Sequence, residues 1–162
     1  MYIPFVAALI PLIIGMIWYN PKVFGNAWMN SSGMTMEKAK GANMPLMMIL
    51  SYVFSLLVAF SLMSLTIHQL SVFSIFNGDP TASDPNSEVG MILKTIQEKY
   101  WGNFRTFKHG ALHGTIGGLF IALPIIATSA LYERRGFKYI MISAGYWIVS
   151  MAIMGGVICA FM

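Results

Sequence analysis

The sequence has little charge. Only 10% of its 162 residues are Asp, Glu, Lys or Arg, while 57% are hydrophobic. A soluble domain of this length does not need so apolar a composition, so an ordinary water-soluble fold is excluded and a lipid environment is indicated. All six acidic residues lie outside the long apolar stretches, so no pair of carboxylates within a membrane span is available for catalysis.

Cysteine occurs once, at Cys159, which excludes an intramolecular disulfide and a cysteine metal site. The sequence also lacks a glycine-rich phosphate loop and a Gly-x-Ser-x-Gly elbow, and we therefore expect no enzyme activity. The ten Lys and Arg residues are spread over three short hydrophilic segments, without a long basic stripe. We interpret the net charge of +4 as a topology signal and expect no nucleic-acid partner.

Four apolar stretches are long enough to cross a bilayer core, which takes roughly 20 helical residues. They cover residues 2–20, 44–66, 107–132 and 137–161. None alternates with a period of two, and backbone polar groups cannot stay unpaired in hydrocarbon, so helices are favoured over a barrel. The fold class predicted is all-α, an integral membrane four-helix bundle forming one transmembrane domain over residues 1–162.

The hydrophilic segments contain several helix start signals. Thr35 can cap a short helix, and Asn43 followed by Pro45 marks a start for the second span. The second apolar run continues beyond Thr66, so its last turns are expected to extend into the interface. The loop that follows carries a predicted short amphipathic helix, starting near Asp84, that lies on the membrane before the third span.

Lys and Arg counts predict the orientation. The first and third loops together hold six of the ten, while the longer middle loop holds four together with four acidic residues. The positive-inside rule therefore predicts that the first and third loops face the cytoplasm and that both termini lie outside.

Several segments resemble a family of small bacterial membrane proteins known as domain of unknown function family 1761. They are "WYNPKVFGNAWM" (18–29), "KGANM" (40–44), "HGALHG" (109–114) and "LYERRGFKYIMISAGYWIVSMAIMGG" (131–156). The resemblance implies four membrane helices and no assigned activity, and with the orientation above it implies a bacterial cytoplasmic (inner) membrane. It carries over no catalytic or binding residue.

Small residues recur every four positions in the third and fourth spans. The stripes are Gly110, Gly114, Gly118 and Ala122 in the third, and Ala152, Gly156 and Ala160 in the fourth. Small-xxx-small stripes let helix backbones approach closely in lipid. Because a very short turn joins these spans, we expect the two stripes to pack against each other.

The three histidines are predicted to lie at one membrane level. His109 and His113 are one helical turn apart and project the same way. His68 is about 36 Å along the second helix, which brings it to the same outer side. Three imidazoles at one depth can bind zinc, copper or another transition metal, two can ligate a haem, and they can also relay protons. Interhelical hydrogen bonding or interface anchoring is the alternative, since the spacing alone is not specific.

Two further features of the spans are candidates for function. One is a cytoplasmic set of aromatic and basic residues, either a headgroup-level belt or a pocket for an anionic lipid headgroup, comprising Trp18, Tyr19, Trp28, Arg134 and Arg135. The other is Pro124, which is expected to kink the third helix and open a space beside it.

Three classes of function therefore stay open. The first is a small transport or ligand-binding membrane protein that uses a cavity beside the kinked helix and the outer histidines. The second is a structural or accessory subunit that docks through its small-residue stripes, and the third is a metal- or haem-binding protein. In each class the lipid bilayer is a partner, together with a second copy of the chain or other membrane proteins, because four helices enclose little interior. The cofactor is left open.

Overall fold

The computed structural model describes residues 2–162, and every regular element among them is helical, which confirms the all-α prediction. In chain order the α-helices are α1 (Ile3–Ala7), α2 (Ile10–Trp18), α3 (Gly25–Ser32), α4 (Met36–Lys40), α5 (Met44–Thr66), α6 (His68–Ile75), α7 (Glu88–Thr95), α8 (Phe107–Gly117), α9 (Leu123–Tyr132) and α10 (Phe137–Phe161). Two segments have the wider π-helical geometry, Ile96–Tyr100 and Gly118–Ala122.

Helix α10 lies at the centre of the fold and packs against α8, α5, α9 and α2. In its most apolar stretch 44% of the residues are buried, against 17% in α5, so most of the α5 surface is left for lipid. The buried apolar core is formed by α5, α10 and the break between α1 and α2. Its residues are Ala7, Ala8, Ala59, Leu62, Ile67, Met151, Met154 and Ile158.

Three helical segments are long and apolar enough to cross a membrane. They are Met44–Thr66, Phe107–Tyr132 and Phe137–Phe161, and their bounds match the sequence prediction closely. The fourth predicted span, residues 2–20, is represented by the shorter apolar segment Ile3–Trp18. At about 1.5 Å per residue its 16 residues extend about 24 Å, less than a hydrocarbon core of about 30 Å. The predicted four-helix bundle is therefore not confirmed.

Proline explains why the first segment is divided. Pro11 has no N–H group, and its ring clashes with the carbonyl four residues earlier, that of Ala7. The α1 helix ends at Ala7, the amide of Leu9 donates to Val6 at 3.1 Å, and α2 starts at Ile10.

Two of the predicted helix caps are confirmed. The Thr35 side chain accepts from the Lys38 amide at the start of α4, and the Asn43 side chain accepts from the Leu46 amide at the start of α5.

Two other predictions were wrong. Helix α7 is capped by Ser87 rather than started at Asp84.

The second error concerns the end of α5, because the helix breaks after Thr66 instead of continuing without interruption. Ile67 leaves helical geometry, with φ −112° and ψ 88°, and α6 starts at the next residue. The side chain of Ile67 is 1% exposed, so burial of this residue in the core accompanies the break. As a result His68 lies at the start of a new helix rather than in a continuation of the second one.

The third span runs without a break from Phe107 to Tyr132 but changes its winding before Pro124. The proline cannot donate to the carbonyl four residues back. In the π segment Gly118–Ala122 the helix accommodates this loss, and the amide of Leu123 donates to Gly118, five residues earlier. A π turn therefore lies where the sequence predicts a kink.

Candidate three-histidine site

All three histidines meet at one end of the bundle, where α5 ends and α8 begins. His68 is the first residue of α6, while His109 and His113 lie one turn apart on α8. The main-chain amide of His109 donates to the Thr106 hydroxyl at 3.2 Å, which caps α8 and fixes its first turn. The site therefore joins two segments that are 41 residues apart in the sequence.

The imidazole rings are close enough to act together. The Nε2 atoms of His68 and His109 are 3.0 Å apart, a hydrogen-bond distance at which one ring donates and the other accepts according to tautomer. The ring centroid of His113 is 4.7 Å from that of His68 and 4.5 Å from that of His109. One ligand nitrogen from each residue lies within 4.8 Å of the other two.

The site has an open side and a purely nitrogenous donor set. His68 is exposed, while His109 and His113 are half-buried, so an ion can enter from the exposed edge. Among residues 2–162 no carboxylate or thiolate joins this cluster. Borderline metal ions that accept imidazole fit such a set, whereas calcium and magnesium require oxygen ligands.

Gln69 holds the two halves of the site together. Its side chain is 8% exposed and follows directly after His68. The amide nitrogen donates to three backbone carbonyls at 2.8–3.1 Å, those of Tyr100, Trp101 and Asn103. Because these carbonyls lie just before Thr106, the clamp positions α6 and His68 against the segment that begins α8.

The end of α10 lies beneath this clamp. The Cys159 thiol is fully buried, 3.4 Å from the carbonyl oxygens of Thr66 and Phe104. Arg105 donates from Nε to the Cys159 carbonyl at 2.9 Å, and its guanidinium lies 5.5 Å from the centre of the Trp101 ring. A cation at the C-terminal end of α10 also interacts favourably with the helix dipole.

Phe104 covers one face of the site. Its ring centroid is 5.3 Å from that of His109, and its backbone has a positive φ of 61°, an uncommon conformation for a bulky residue. Gln69, Phe104 and Arg105 were not singled out from the sequence. A glutamine directly after a histidine within an apolar run was a usable signal, but nothing in the sequence marks the conformation of Phe104.

The glycines of α8 set the distance between α8 and α10. A methyl group at Gly110 would collide with the Gly155 carbonyl, and one at Gly114 would collide with the Met151 carbonyl. At Gly118 a methyl group would lie 2.7 Å from the Ile148 Cα atom. The two helix backbones therefore touch along this stripe, which fixes the positions of His109 and His113 relative to the core.

The stripe predicted on α10 differs from the observed contact surface. The residues of α10 that meet the glycines of α8 are Ile148, Met151, Ala152, Gly155 and Cys159. Gly156 instead lies under the Phe107 ring, and Ala160 is not among the atoms closest to the α8 glycines. Ala122 is in the π segment and packs at the edge of the core. Because Gly155 and Gly156 are adjacent, spacing alone could not decide which one meets the glycines of α8.

Most of the aromatic and basic residues predicted to form a headgroup pocket make contacts within the chain. The Trp18 indole donates to the Ile142 carbonyl at 3.0 Å, and the Tyr19 ring packs against Trp28. Arg135 donates to the Ser32 carbonyl, forms a 3.4 Å ion pair with Glu133 and lies over Tyr139. Arg134 is exposed, with a positive φ of 56°.

A cavity does lie beside the π turn. It has a volume of about 400 Å³ and lies between α5, the Gly118–Ala122 segment, α9 and α10. Ile121 and Ile125 line it on either side of Pro124, and its wall is almost entirely apolar. The histidines are not part of this wall. The sequence predicted one cavity bounded by both the third helix and the histidines, but the cavity and the histidine cluster are separate.

Together the fold and the site define an all-helical membrane protein with a cluster of three histidines at one end of its bundle. The chain belongs to the family described as "Protein of unknown function (DUF1761)", whose model matches residues 4–159. This match confirms the resemblance seen in the sequence. No curated protein and no solved structure matches the chain.

Proposed function

We propose that this membrane protein binds one divalent transition-metal ion, such as zinc, through a ring nitrogen of each of His68, His109 and His113. The observation that carries the proposal is the approach of the three ligand nitrogens to within 4.8 Å of one another. Imidazole is the most common protein ligand for such ions.

The required rearrangement is small. In a tetrahedral zinc site with bonds of about 2.0–2.1 Å, the ligand nitrogens are about 3.4 Å apart. The pair of His68 and His109 is already at 3.0 Å, and the widest separation has to shorten by about 1.4 Å.

A single ion fits better than a haem. Two axial histidines hold a haem iron from opposite faces of the porphyrin, whereas the His68 and His109 nitrogens are only 3.0 Å apart and leave no room for a porphyrin between them. Three protein ligands also leave one coordination position for water or an external ligand, unlike structural zinc sites, which have four protein ligands. We propose a binding or transport role rather than catalysis.

The accessory-subunit alternative has less support. Gly110, Gly114 and Gly118 are engaged by α10 of the same chain, so this small-residue stripe is not available for docking to a partner. We propose a bacterial inner-membrane location with both termini outside, which puts the histidines on the outer side. We also propose assembly with a second copy or another membrane protein.

Metal analysis of protein purified through a tag without histidine tests the proposal. After incubation with zinc and dialysis, wild-type protein in mild detergent is expected to retain one zinc ion per chain. The variant with His68, His109 and His113 replaced by alanine is expected to bind at least a hundredfold more weakly, because every ligand is lost. Elemental analysis measures the retained zinc, and a competing chelator measures the affinity.

A matched control changes three exposed lysines of the same region, Lys94, Lys99 and Lys108, to alanine. This variant is expected to bind zinc as the wild type does. If the triple histidine variant fails to assemble, the exposed single change His68→Gln replaces it. Wild-type protein without zinc, or a histidine variant with wild-type affinity, would overturn the proposal.

A further inference from the structure

A second cavity lies beside the other end of α5 from the histidines. It has a volume of about 550 Å³ and lies between α2, α5 and α10. Four methionines line it: Met16 of α2 and Met44, Met47 and Met48 in the first turns of α5. About 33 Å of helix separates Met44 from Thr66, so this cavity and the histidine cluster cannot share one ion.

The methionines of α5 share one face of the helix. Met44, Met47 and Met48 have i, i+3, i+4 spacing, which places side chains next to one another. Met16 reaches the same cavity from α2. The four methionines therefore line one space from two helices.

These side chains are not core filler. Met16, Met44, Met47 and Met48 are 44–63% exposed, whereas the core residues Met151 and Met154 are 8% and 0% exposed. Exposure means that core packing does not fix these side chains in place. It also leaves three rotatable bonds in each side chain free to adjust.

The donor set selects the kind of ligand. The cavity wall contains hydroxyl groups but no carboxylate, imidazole or thiol, and the Tyr146 hydroxyl is already used as a donor to the Pro11 carbonyl at 3.0 Å. Hard cations need charged oxygen ligands, which this wall lacks. Soft thioethers select the monovalent copper ion.

We propose that this methionine-lined cavity binds Cu(I) through the sulfur atoms of Met16, Met44, Met47 and Met48. The proposal does not depend on the histidine site, because the two sites share no residue. Together they give the protein a soft-metal site at one end of α5 and an imidazole site at the other.

Silver titration of the full-length protein in detergent tests the proposal, because Ag(I) has the same charge and ligand preference as Cu(I) and resists oxidation. The test variant changes Met44, Met47 and Met48 to leucine, which keeps the volume and hydrophobic character of each side chain. Wild-type protein is expected to bind Ag(I) at this site, and the variant at least tenfold more weakly. Calorimetry measures affinity and stoichiometry.

The matched control changes three methionines outside the cavity, Met36, Met91 and Met141, to leucine. They are similarly exposed, at 61%, 52% and 49%, and the control is expected to bind Ag(I) as the wild type does. The cavity variant is also expected to keep wild-type zinc binding at the histidines, which separates this proposal from the previous one.

Equal Ag(I) affinity in the cavity variant and the control would overturn the proposal, as would wild-type protein that binds no Ag(I). In either case the cavity would hold apolar matter such as a lipid chain. If the triple variant does not fold, the single change Met47→Leu is compared with Met141→Leu on the same criterion.

Discussion

Gln69 shows how one buried polar side chain can organise a site that it does not itself enter. Its amide supplies two N–H groups to three carbonyls of a loop that otherwise contains little regular structure. Each such hydrogen bond contributes about 0.5–1.5 kcal/mol to stability. The loop and His68 are therefore expected to move together when this side chain is lost.

Replacing Gln69 with leucine is expected to lower both the stability of the protein and the zinc affinity of the histidine cluster. We expect a loss of about 1–3 kcal/mol in unfolding free energy, because the hydrogen bonds from the Gln69 amide to the loop are lost. The affinity is expected to fall about tenfold, because support of the ligands is commonly worth 10–100-fold in metal binding. Denaturation in detergent and chelator competition measure the two effects.

Gln97→Leu is the control for this change. Gln97 is exposed and makes no side-chain hydrogen bond among the described residues, so its replacement is expected to leave both quantities unchanged. If Gln69→Leu behaved like Gln97→Leu, the clamp would have no part in positioning His68.

At the scale of the helices, close backbone contact between α8 and α10 is the main determinant of the geometry. Gly114 faces the main chain of Met151 and Ala152, not flexible side chains. Interhelical contact through small residues is the usual means of close packing in lipid, where the hydrophobic effect does not drive helices together.

Gly114→Ala is therefore expected to destabilise the protein by about 1–3 kcal/mol, because the added methyl group forces the two backbones apart. Gly102→Ala is the control: nothing lies within 4 Å of a methyl group there. Thermal unfolding in detergent compares the two. A Gly114→Ala variant as stable as Gly102→Ala would mean that the helices are not in close contact.

Local signals explain which helix ends could be predicted. The side-chain oxygens of Thr35 and Asn43 each accept a hydrogen bond from the backbone amide three residues later. This capping pattern can be recognised in the sequence. The break at Ile67 has no such signal, since neither proline nor glycine is present. It accompanies burial of Ile67 against α10 and is thus a consequence of tertiary packing.

At the scale of the whole molecule, the number of membrane crossings depends on Ile3–Trp18. The segment is short, but aromatic residues stand at both of its ends, Tyr2 on one side and Trp18 and Tyr19 on the other. Aromatic residues of this kind typically mark the two membrane interfaces. A short segment can cross where the bilayer thins around it.

We expect reporters fused to the N-terminus and the C-terminus to score on the same, outer side of the membrane. Four crossings and cytoplasmic first and third loops give this result. Termini on opposite sides would mean that Ile3–Trp18 does not cross. Two cytoplasmic termini would reverse the orientation and place the histidines inside.

The candidate site was partly predictable at this scale. His109 and His113 follow from helical spacing, and the length of the second apolar run brought His68 to the same level. The close approach of the three imidazole rings depends on the helix break at Ile67 and on the hydrogen bonds of Gln69 to the loop before α8. Both involve residues far apart in the sequence. The methionine-lined cavity likewise needs α2 to lie beside α5, and sequence spacing alone gives only its α5 half.

The buried thiol of Cys159 makes the protein a natural single-label reporter. It is the one cysteine in the sequence, and it is covered by the end of α5 and by the loop that Gln69 clamps. An alkylating reagent can reach it only when these segments separate. The rate at which the reagent labels Cys159 in the wild-type protein therefore measures how often the histidine end of the bundle opens. No engineered probe is needed.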